Sequence, residues 1–335
     1  MSMLDLAAQN LFSPPILFFA LGLLAAAVRS DLVLPESVAK GLSLYLIMAI
    51  GFKGGVEMAD GVSGQVGGIL IAGIVLSALM PLIGYHLLQA TTKVGRVDAA
   101  AIAAHYGSIS IVTFIAANDA INALQMDPGG YMIAVAAAME APAILTGLIL
   151  AGRVRRGEPA PAALSAASAP NPPKGTILHD SLTNGSILLL IGAFAIGWVA
   201  GPRGMEPLEP FFVDIFRGVL CLFLLDMGLT AGRGLLSQYK VLNPALIGFG
   251  VYMPLLGSAI GLAFAYLLGL SVADGALLMT LAASASYIAV PAAMKLALPE
   301  ARPALSLTLS LGVTFPFNLL AGIPLYAAVA GAVLG

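Results

Sequence analysis

Cysteine and charge are what this sequence has least of. One cysteine, Cys221, stands among 335 residues, which excludes an intrachain disulfide and a cysteine-based metal cluster. Charged residues are 10% of the chain, where a soluble domain carries roughly 25%. The formal net charge is −2, with no basic tail and no interleaving of aromatic and basic residues, so nucleic acid is excluded as a partner. The three histidines, His86, His105 and His179, share no spacing that makes a zinc set. No nucleophile elbow, phosphate loop or paired catalytic motif occurs, and Asp226 has no second aspartate in a matching membrane motif, so the chain reads as no enzyme. The N-terminus carries Asp5 and no early Lys or Arg. That is unlike a cleavable signal peptide, and the first apolar span is expected to target the chain.

What fills the sequence is apolar. Hydrophobic residues are 59% of it and the mean hydropathy is +0.98, with long apolar blocks separated by short polar breaks. A hydrocarbon core of ~30 Å needs about 20 such residues per helix. The pattern predicts an all-α polytopic membrane protein of ten spans, at 14–29, 38–58, 64–89, 97–117, 130–151, 184–201, 211–231, 243–269, 273–296 and 303–333. With the N-terminus outside, twelve of the fifteen Lys and Arg fall on the inner side, among them Lys93, Arg96, Arg153, Arg155, Arg156, Lys174, Lys240 and Lys295. Only Lys53 and Arg203 fall outside, with Arg217 inside a span. This positive-inside bias places both termini outside and segment 152–183 in the cytoplasm. That segment, rich in Pro, Ala and Ser, reads as a flexible linker, either a tether or a docking site for a regulator.

The linker separates two similar halves, 1–151 and 184–335. Gly51 and Gly55 of AIGFKGG answer Gly228 and Gly232 of LDMGLTAG. MPLIG (80–84) answers MPLLG (253–257), and VDAAAIAAHYGSIS (97–110) answers VADGALLMTLAASAS (272–286). Ser108 and Ser110 then fall on Ser284 and Ser286, and Pro142 falls on Pro316. Five spans per half is an odd number, so the second half is expected to be inverted relative to the first, a transporter signature.

Paired interruptions in corresponding spans point to the site of such a protein. The fourth span holds Gly107-Ser108-Ile109-Ser110. The ninth holds Ala283-Ser284-Ala285-Ser286-Tyr287, with Pro291 a turn later. Glycine and serine weaken a helix and serine caps a restarted one, so each span is expected to be two half-helices. A half-helix N-terminus offers free N–H groups and about half a positive charge, suited to a small anion. A half-helix C-terminus offers carbonyls, suited to sodium. The alternative is that these serines bond helix carbonyls or permit close packing.

Acidic residues inside spans cost ~2.5–3.5 kcal/mol at the helix centre and are retained for an ion, a proton or a partner. Glu140 and Asn318 are read as oxygen donors to sodium or as supports behind its ligands. Asp226 is read as a cation ligand, a gate or an interface charge. His105 is read as a packed, hydrogen-bonded histidine or a proton sensor, and Lys53, near a span end, as a snorkelling side chain.

GFKGGVEMA (51–59), AAHYGSISIVTF (103–114), MEAPAILTG (139–147), LFLLDMGLTAG (222–232) and SASYIAVPAAM (284–294) resemble the SbtA-type sodium-dependent bicarbonate transporters, over nearly the whole chain. The resemblance implies two inverted five-span repeats. It also implies a core domain (spans 3–5 and 8–10) moving against a gate domain (spans 1–2 and 6–7), and a homotrimer in the plasma (inner) membrane. It implies sodium-coupled bicarbonate uptake and inhibition by a small PII-like protein that senses adenine nucleotides. Carried onto this sequence, it puts bicarbonate at Gly107, Ser108, Ile109, Ser110, Ser284, Ala285, Ser286 and Tyr287. It puts sodium among Ser108, Ser110, Thr113, Glu140, Ser286 and Asn318. A symporter of another small anion, such as a short carboxylate, a sodium/proton exchanger using Glu140 and Asp226, and a membrane scaffold or sensor are the alternatives.

Overall fold

The computed structural model describes residues 13–59, 66–157, 185–238, 242–287 and 298–335, with positions 290 and 294. Asp5, Lys174, His179, Lys240, Pro291, Lys295 and the linker from 158 to 183 lie outside the described residues. Every described element is helical: α1 Pro14–Ala27, α2 Glu36–Ala59, α3 Val66–Thr91, α4 Arg96–His105, α5 Ile111–Ala123, α6 Tyr131–Gly157, α7 Gly185–Met205, α8 Phe216–Gln238, α9 Pro244–Leu267, α10 Val272–Ala283 and α11 Pro303–Leu334. An apolar solvent leaves backbone groups no partner but their own chain, and a helix satisfies them internally. Four helices, α3, α6, α9 and α11, are long and apolar enough to cross a membrane by length and composition. Large apolar side chains point outward along them and their neighbours, such as Ile71, Val199 and Leu267, a surface that water would penalise and lipid does not.

Local chemistry sets the helix ends. Pro14, Pro244 and Pro303 open α1, α9 and α11, where a missing N–H costs nothing. Asn243 caps α9, its side chain accepting from Leu246 N at 2.9 Å, and Ser271 caps α10 by accepting from Asp274 N at 3.1 Å. The chain between α7 and α8 departs from the apolar pattern. The seventh span is predicted to start at 211, but a 3-10 turn (Glu206–Leu208) and a π turn (Pro210–Asp214) precede α8. Pro202, Pro207 and Pro210 remove helix donors there, and α7 kinks at Gly201, whose φ of 58° suits glycine.

α1 lies along α8 and α2 along α7 in the most extensive pairings of the fold. The approach is backbone to backbone: a Cβ on Gly228 would sit 2.1 Å from Phe19 O, and one on Gly55 2.0 Å from Phe194 O. A second group packs α3 on α6, α9 on α10, and α4 between α3 and α6. α10 is buried from Ala273 to Ala283 and α4 from Ala99 to His105. These short, alanine-rich helices are at the centre, shielded by the long ones.

Both central helices are tied down at their starts by an aspartate. Asp98 accepts from the backbone N–H of Arg302 at 2.9 Å and from its guanidinium at 2.7 and 2.9 Å. Asp274 accepts from Gly129 N at 2.8 Å, Tyr131 OH at 2.7 Å and Ser271 Oγ at 2.7 Å. Each therefore joins a central helix to the beginning of a long one, α11 and α6 respectively.

Candidate functional site: two helix breaks in contact

α4 stops at His105 and α5 starts at Ile111, with Ser110 as an extended N-cap (φ −97°, ψ 108°) whose Oγ accepts from Thr113 N at 3.2 Å. α10 stops at Ala283 and the chain turns extended at Ser284 (φ −82°, ψ 161°). The two breaks bond to each other. Ser286 N donates to His105 O, the last carbonyl of α4, at 2.7 Å. Ser110 N donates to Ser284 Oγ at 3.1 Å, and that hydroxyl donates to Leu281 O at 2.8 Å. Gly107 lets the first break press against α3: a Cβ there would lie 2.4 Å from the Pro81 ring and 2.6 Å from Ser77 O.

Two proline-bearing helices wall the breaks. In α6, Ser77 of α3 brings its hydroxyl to the helix ladder. The Ser77 hydroxyl donates to Met139 O, and Ala143 N donates to Ser77 Oγ at 3.1 Å. The hydroxyl thus bridges the carbonyl and the N–H of one helical turn, next to Pro142, which has no N–H to give. Glu140 sits in that turn with its carboxyl beside Ser108. In α11, π turns at Ser310–Thr314 and Asn318–Gly322 bracket Pro316. Thr314 donates to Gly250 O at 2.8 Å and is joined by Tyr106 OH at 2.6 Å, which ties the first break to α11. Asn318 donates through Nδ2 to Ala283 O, the last carbonyl of α10, at 2.9 Å, and its Oδ1 accepts from Tyr326 OH at 2.9 Å.

Four buried polar atoms at or beside the crossing make no hydrogen bond of ordinary geometry among the described residues: Ser108 Oγ, which faces the Glu140 carboxyl, Tyr287 OH, which faces Ser110, and Ser310 Oγ and His105 Nε2. Each such atom costs about 1–3 kcal/mol if nothing bonds it. His105 Nδ1 bonds Ala101 O at 2.7 Å; a carbonyl only accepts, so Nδ1 carries the proton and Nε2 is a lone pair. The N-terminus of α5 adds the Ile111 and Val112 N–H groups, which have no intrahelical acceptor. N–H groups and hydroxyls in a buried pocket are donors for a small anion. No group of three His, Cys, Asp or Glu that could hold a metal ion occurs among the described residues, so a cation here would take hydroxyl, carbonyl and single-carboxylate oxygens, the set a hard monovalent ion accepts.

Of the residues singled out in the sequence, Gly107 to Ser110, Thr113 and Ser284 to Tyr287 come together at the crossing, with Glu140 beside Ser108 and Asn318 on the end of α10. Asp226 does not join them. It sits on α8, half-buried, with Arg233 as its charged neighbour. Ser77, Tyr106 and Thr314 escape sequence reading, although Ser77 and Thr314 each stand within four residues of a proline inside an apolar run.

A cavity of ≈ 540 Å³ opens between α2, α8 and α11 at the end carrying Glu36 and Lys40, and it reaches Tyr287. At the opposite end a small cavity of ≈ 50 Å³ lies between α2, α5, α6 and the start of α8. Arg217 of α8 and Asp119 of α5 form an ion pair there at 2.8 Å.

A search among curated proteins returned no match. The family model of the Na+-dependent bicarbonate transporter superfamily, a family of transporters rather than enzymes, matches residues 14–331. A match of that extent, on an all-helical chain with four apolar candidate spans, shows that the protein belongs to the Na+-dependent bicarbonate transporter superfamily.

Proposed function

We propose that the chain is a symporter that couples the entry of bicarbonate to sodium, by alternating access of α3–α6 and α9–α11 against α1, α2, α7 and α8. The contact between the two breaks carries this reading: Ser286 N to His105 O and Ser110 N to Ser284 Oγ, with Ser108 Oγ and Tyr287 OH buried beside it, facing Glu140 and Ser110 without a well-formed bond. Bicarbonate would be held by the free N–H groups of α5 and the hydroxyls of Ser108, Ser110, Ser284 and Tyr287. Sodium would take oxygens of Ser108, Ser110, Thr113, Ser286 and Glu140, with Asn318 holding the end of α10 in place.

The energetics favour coupling. An inside-negative potential opposes an anion by ~2.3 kcal/mol per 100 mV. One sodium entering with it cancels that cost, and a tenfold sodium gradient adds about 1.4 kcal/mol. Coupling requires only that each ion raise the other's affinity, which opposite charges at adjoining sites do.

The paired breaks, the paired prolines 142 and 316 and the aspartate ties support ten spans in two inverted repeats. The Lys and Arg bias supports both termini on the outer side of the membrane, and the inner membrane comes from the family resemblance. The homotrimer and the PII-like regulator come from the family resemblance alone. Sodium-dependent uptake of labelled bicarbonate by proteoliposomes tests the reading, with Ser110→Ala and Ser286→Ala expected to lower it while the protein stays folded. Full uptake by both variants would refute the site, and stronger uptake of a short carboxylate in competition would change the cargo.

A further inference from the structure

Two cavities flank the crossing, and equivalent positions of the two halves line them. Ile50, Lys53 and Gly54 line the small one. Met227, Thr230 and Ala231, each 177 residues later, line the large one. The same interval separates Gly51 from Gly228 and Gly55 from Gly232. It also relates Ala39 of the large cavity to Phe216 of the small one. Ile133 and Leu307 follow the 174-residue interval of Pro142 and Pro316. The small cavity is thus the closed counterpart of the large one. Its floor is tight, since a Cβ on Gly54 would lie 2.0 Å from the Ile133 side chain and 3.0 Å from Gly130 O.

Their charges differ. Where the large cavity has the Thr230 hydroxyl, the small one has the Lys53 ammonium. Asn118 and Asn122 line the same space and add amide donors. Asp119 lines it too, but Arg217 engages both its oxygens, at 2.8 and 3.3 Å, so the balance of the cavity is positive. The charged residues of the large cavity are Glu36 and Lys40, of opposite sign. The small cavity also lies directly outward of the crossing. Ser110, Phe114, Asn118 and Asn122 follow at intervals of four along α5 and so share one face, with the buried Phe114 ring between the break and the cavity.

We propose that the Lys53, Asn118 and Asn122 cavity is an anion-capture vestibule, which takes bicarbonate from the outer side before Phe114 moves aside. This rests on the transport reading above. Lys53 raises the local anion concentration on the entry side, and Thr230 at the equivalent inner place holds the anion less, which favours release. The unmatched pair thus biases the rates of capture and release, while the ion gradients set the direction of net flux.

Initial rates of labelled bicarbonate uptake, at saturating sodium and varied bicarbonate, test it in proteoliposomes holding the full chain. Lys53→Gln should raise KM about five- to tenfold, as expected for one lost charge contact near water, with Vmax within about twofold. Lys53→Arg should stay near wild type. Raising ionic strength with an impermeant salt should narrow the gap between Lys53→Gln and wild type. Asn122→Ala, at an exposed position, should raise KM in the same direction and serves if Lys53→Gln does not fold. Unchanged KM in the folded variants, or a loss of Vmax alone, would overturn the vestibule while leaving wild-type transport standing. A wild type without sodium-dependent bicarbonate flux would overturn both.

Discussion

Asp98 and Asp274 hold the third positions of α4 and α10, 176 residues apart, and each is bonded by the start of a long helix from the other half of the chain. The same interval separates Ser108 from Ser284 and Ser110 from Ser286. The relationship is reciprocal: the first half's aspartate holds Arg302, and the second half's holds Gly129 and Tyr131. One tie lies at the start of each central helix, so together they hold both helices against α6 and α11.

The two ties differ in burial, and their loss should differ accordingly. Asp274 is buried, 6% exposed, and three neighbours depend on it. Asp274→Ala should cost about 1.5–3 kcal/mol, the range of hydrogen bonds to a charged group. The partner of Asp98, Arg302, is 58% exposed, so Asp98→Ala should cost at most about 1 kcal/mol. Thermal unfolding in detergent compares them. An equal fall in Tm for both would contradict the ranking.

Ser77 should act on sodium more than on bicarbonate. Its hydroxyl bridges Met139 O and Ala143 N of α6, and Glu140 lies in that turn beside Ser108. Ser77→Ala removes the bridge to Met139 O and Ala143 N and frees the turn that carries Glu140 to shift. Stability should fall by about 1 kcal/mol, one net hydrogen bond. The sodium concentration for half-maximal uptake should rise by more than the bicarbonate KM. Equal shifts in both would place Ser77 outside the sodium path.

Gly107→Ala should abolish sodium-dependent uptake. The added methyl meets the Pro81 ring and Ser77 O, at 2.4 and 2.6 Å, and neither can swing away as a flexible side chain would. Overpacking of this kind costs about 1–3 kcal/mol, so the protein should fold with the break displaced. A folded Gly107→Ala protein with wild-type uptake would show that the break is free to shift from α3.

Helix limits were readable because lipid imposes a length. The apolar runs predict 64–89 and 243–269, and the helices are Val66–Thr91 and Pro244–Leu267. The breaks were readable because Gly-Ser-Ile-Ser and Ser-Ala-Ser are polar where apolar residues would serve. The walls were not. A single serine such as Ser77 reads as packing, since nothing in its own span says that it bonds to another helix. The π turns of α11 likewise leave no periodicity to detect around Pro316. The Lys53 cavity was hidden for another reason: a lysine near a span end has an ordinary explanation in snorkelling, and the glycine alignment that pairs it with Thr230 says nothing of cavities until both residues are seen to line one.

The Arg217–Asp119 pair joins α8 to α5 across the two packing groups, and it coexists with the open ≈ 540 Å³ cavity at the other end. If the groups move against each other, the pair must break when the Lys53 end opens. It therefore biases the protein toward the conformation described. Arg217 is 61% exposed, which limits the bias to about 1 kcal/mol, or roughly fivefold in population. Arg217→Gln should raise the fraction open at the Lys53 end by up to that factor. Ile133→Cys reports it, because Ile133 is buried and lines the small cavity. The native Cys221 lies one turn from Arg217, so Cys221→Ser removes the background. An impermeant maleimide should label Ile133→Cys about two- to fivefold faster with Arg217→Gln than without. Pairing Arg217→Asp with Asp119→Arg should restore the slow rate, because the attraction depends on the two signs and not on which helix carries which. Equal labelling in all three backgrounds would show that the pair is a surface contact with no part in closing the Lys53 end.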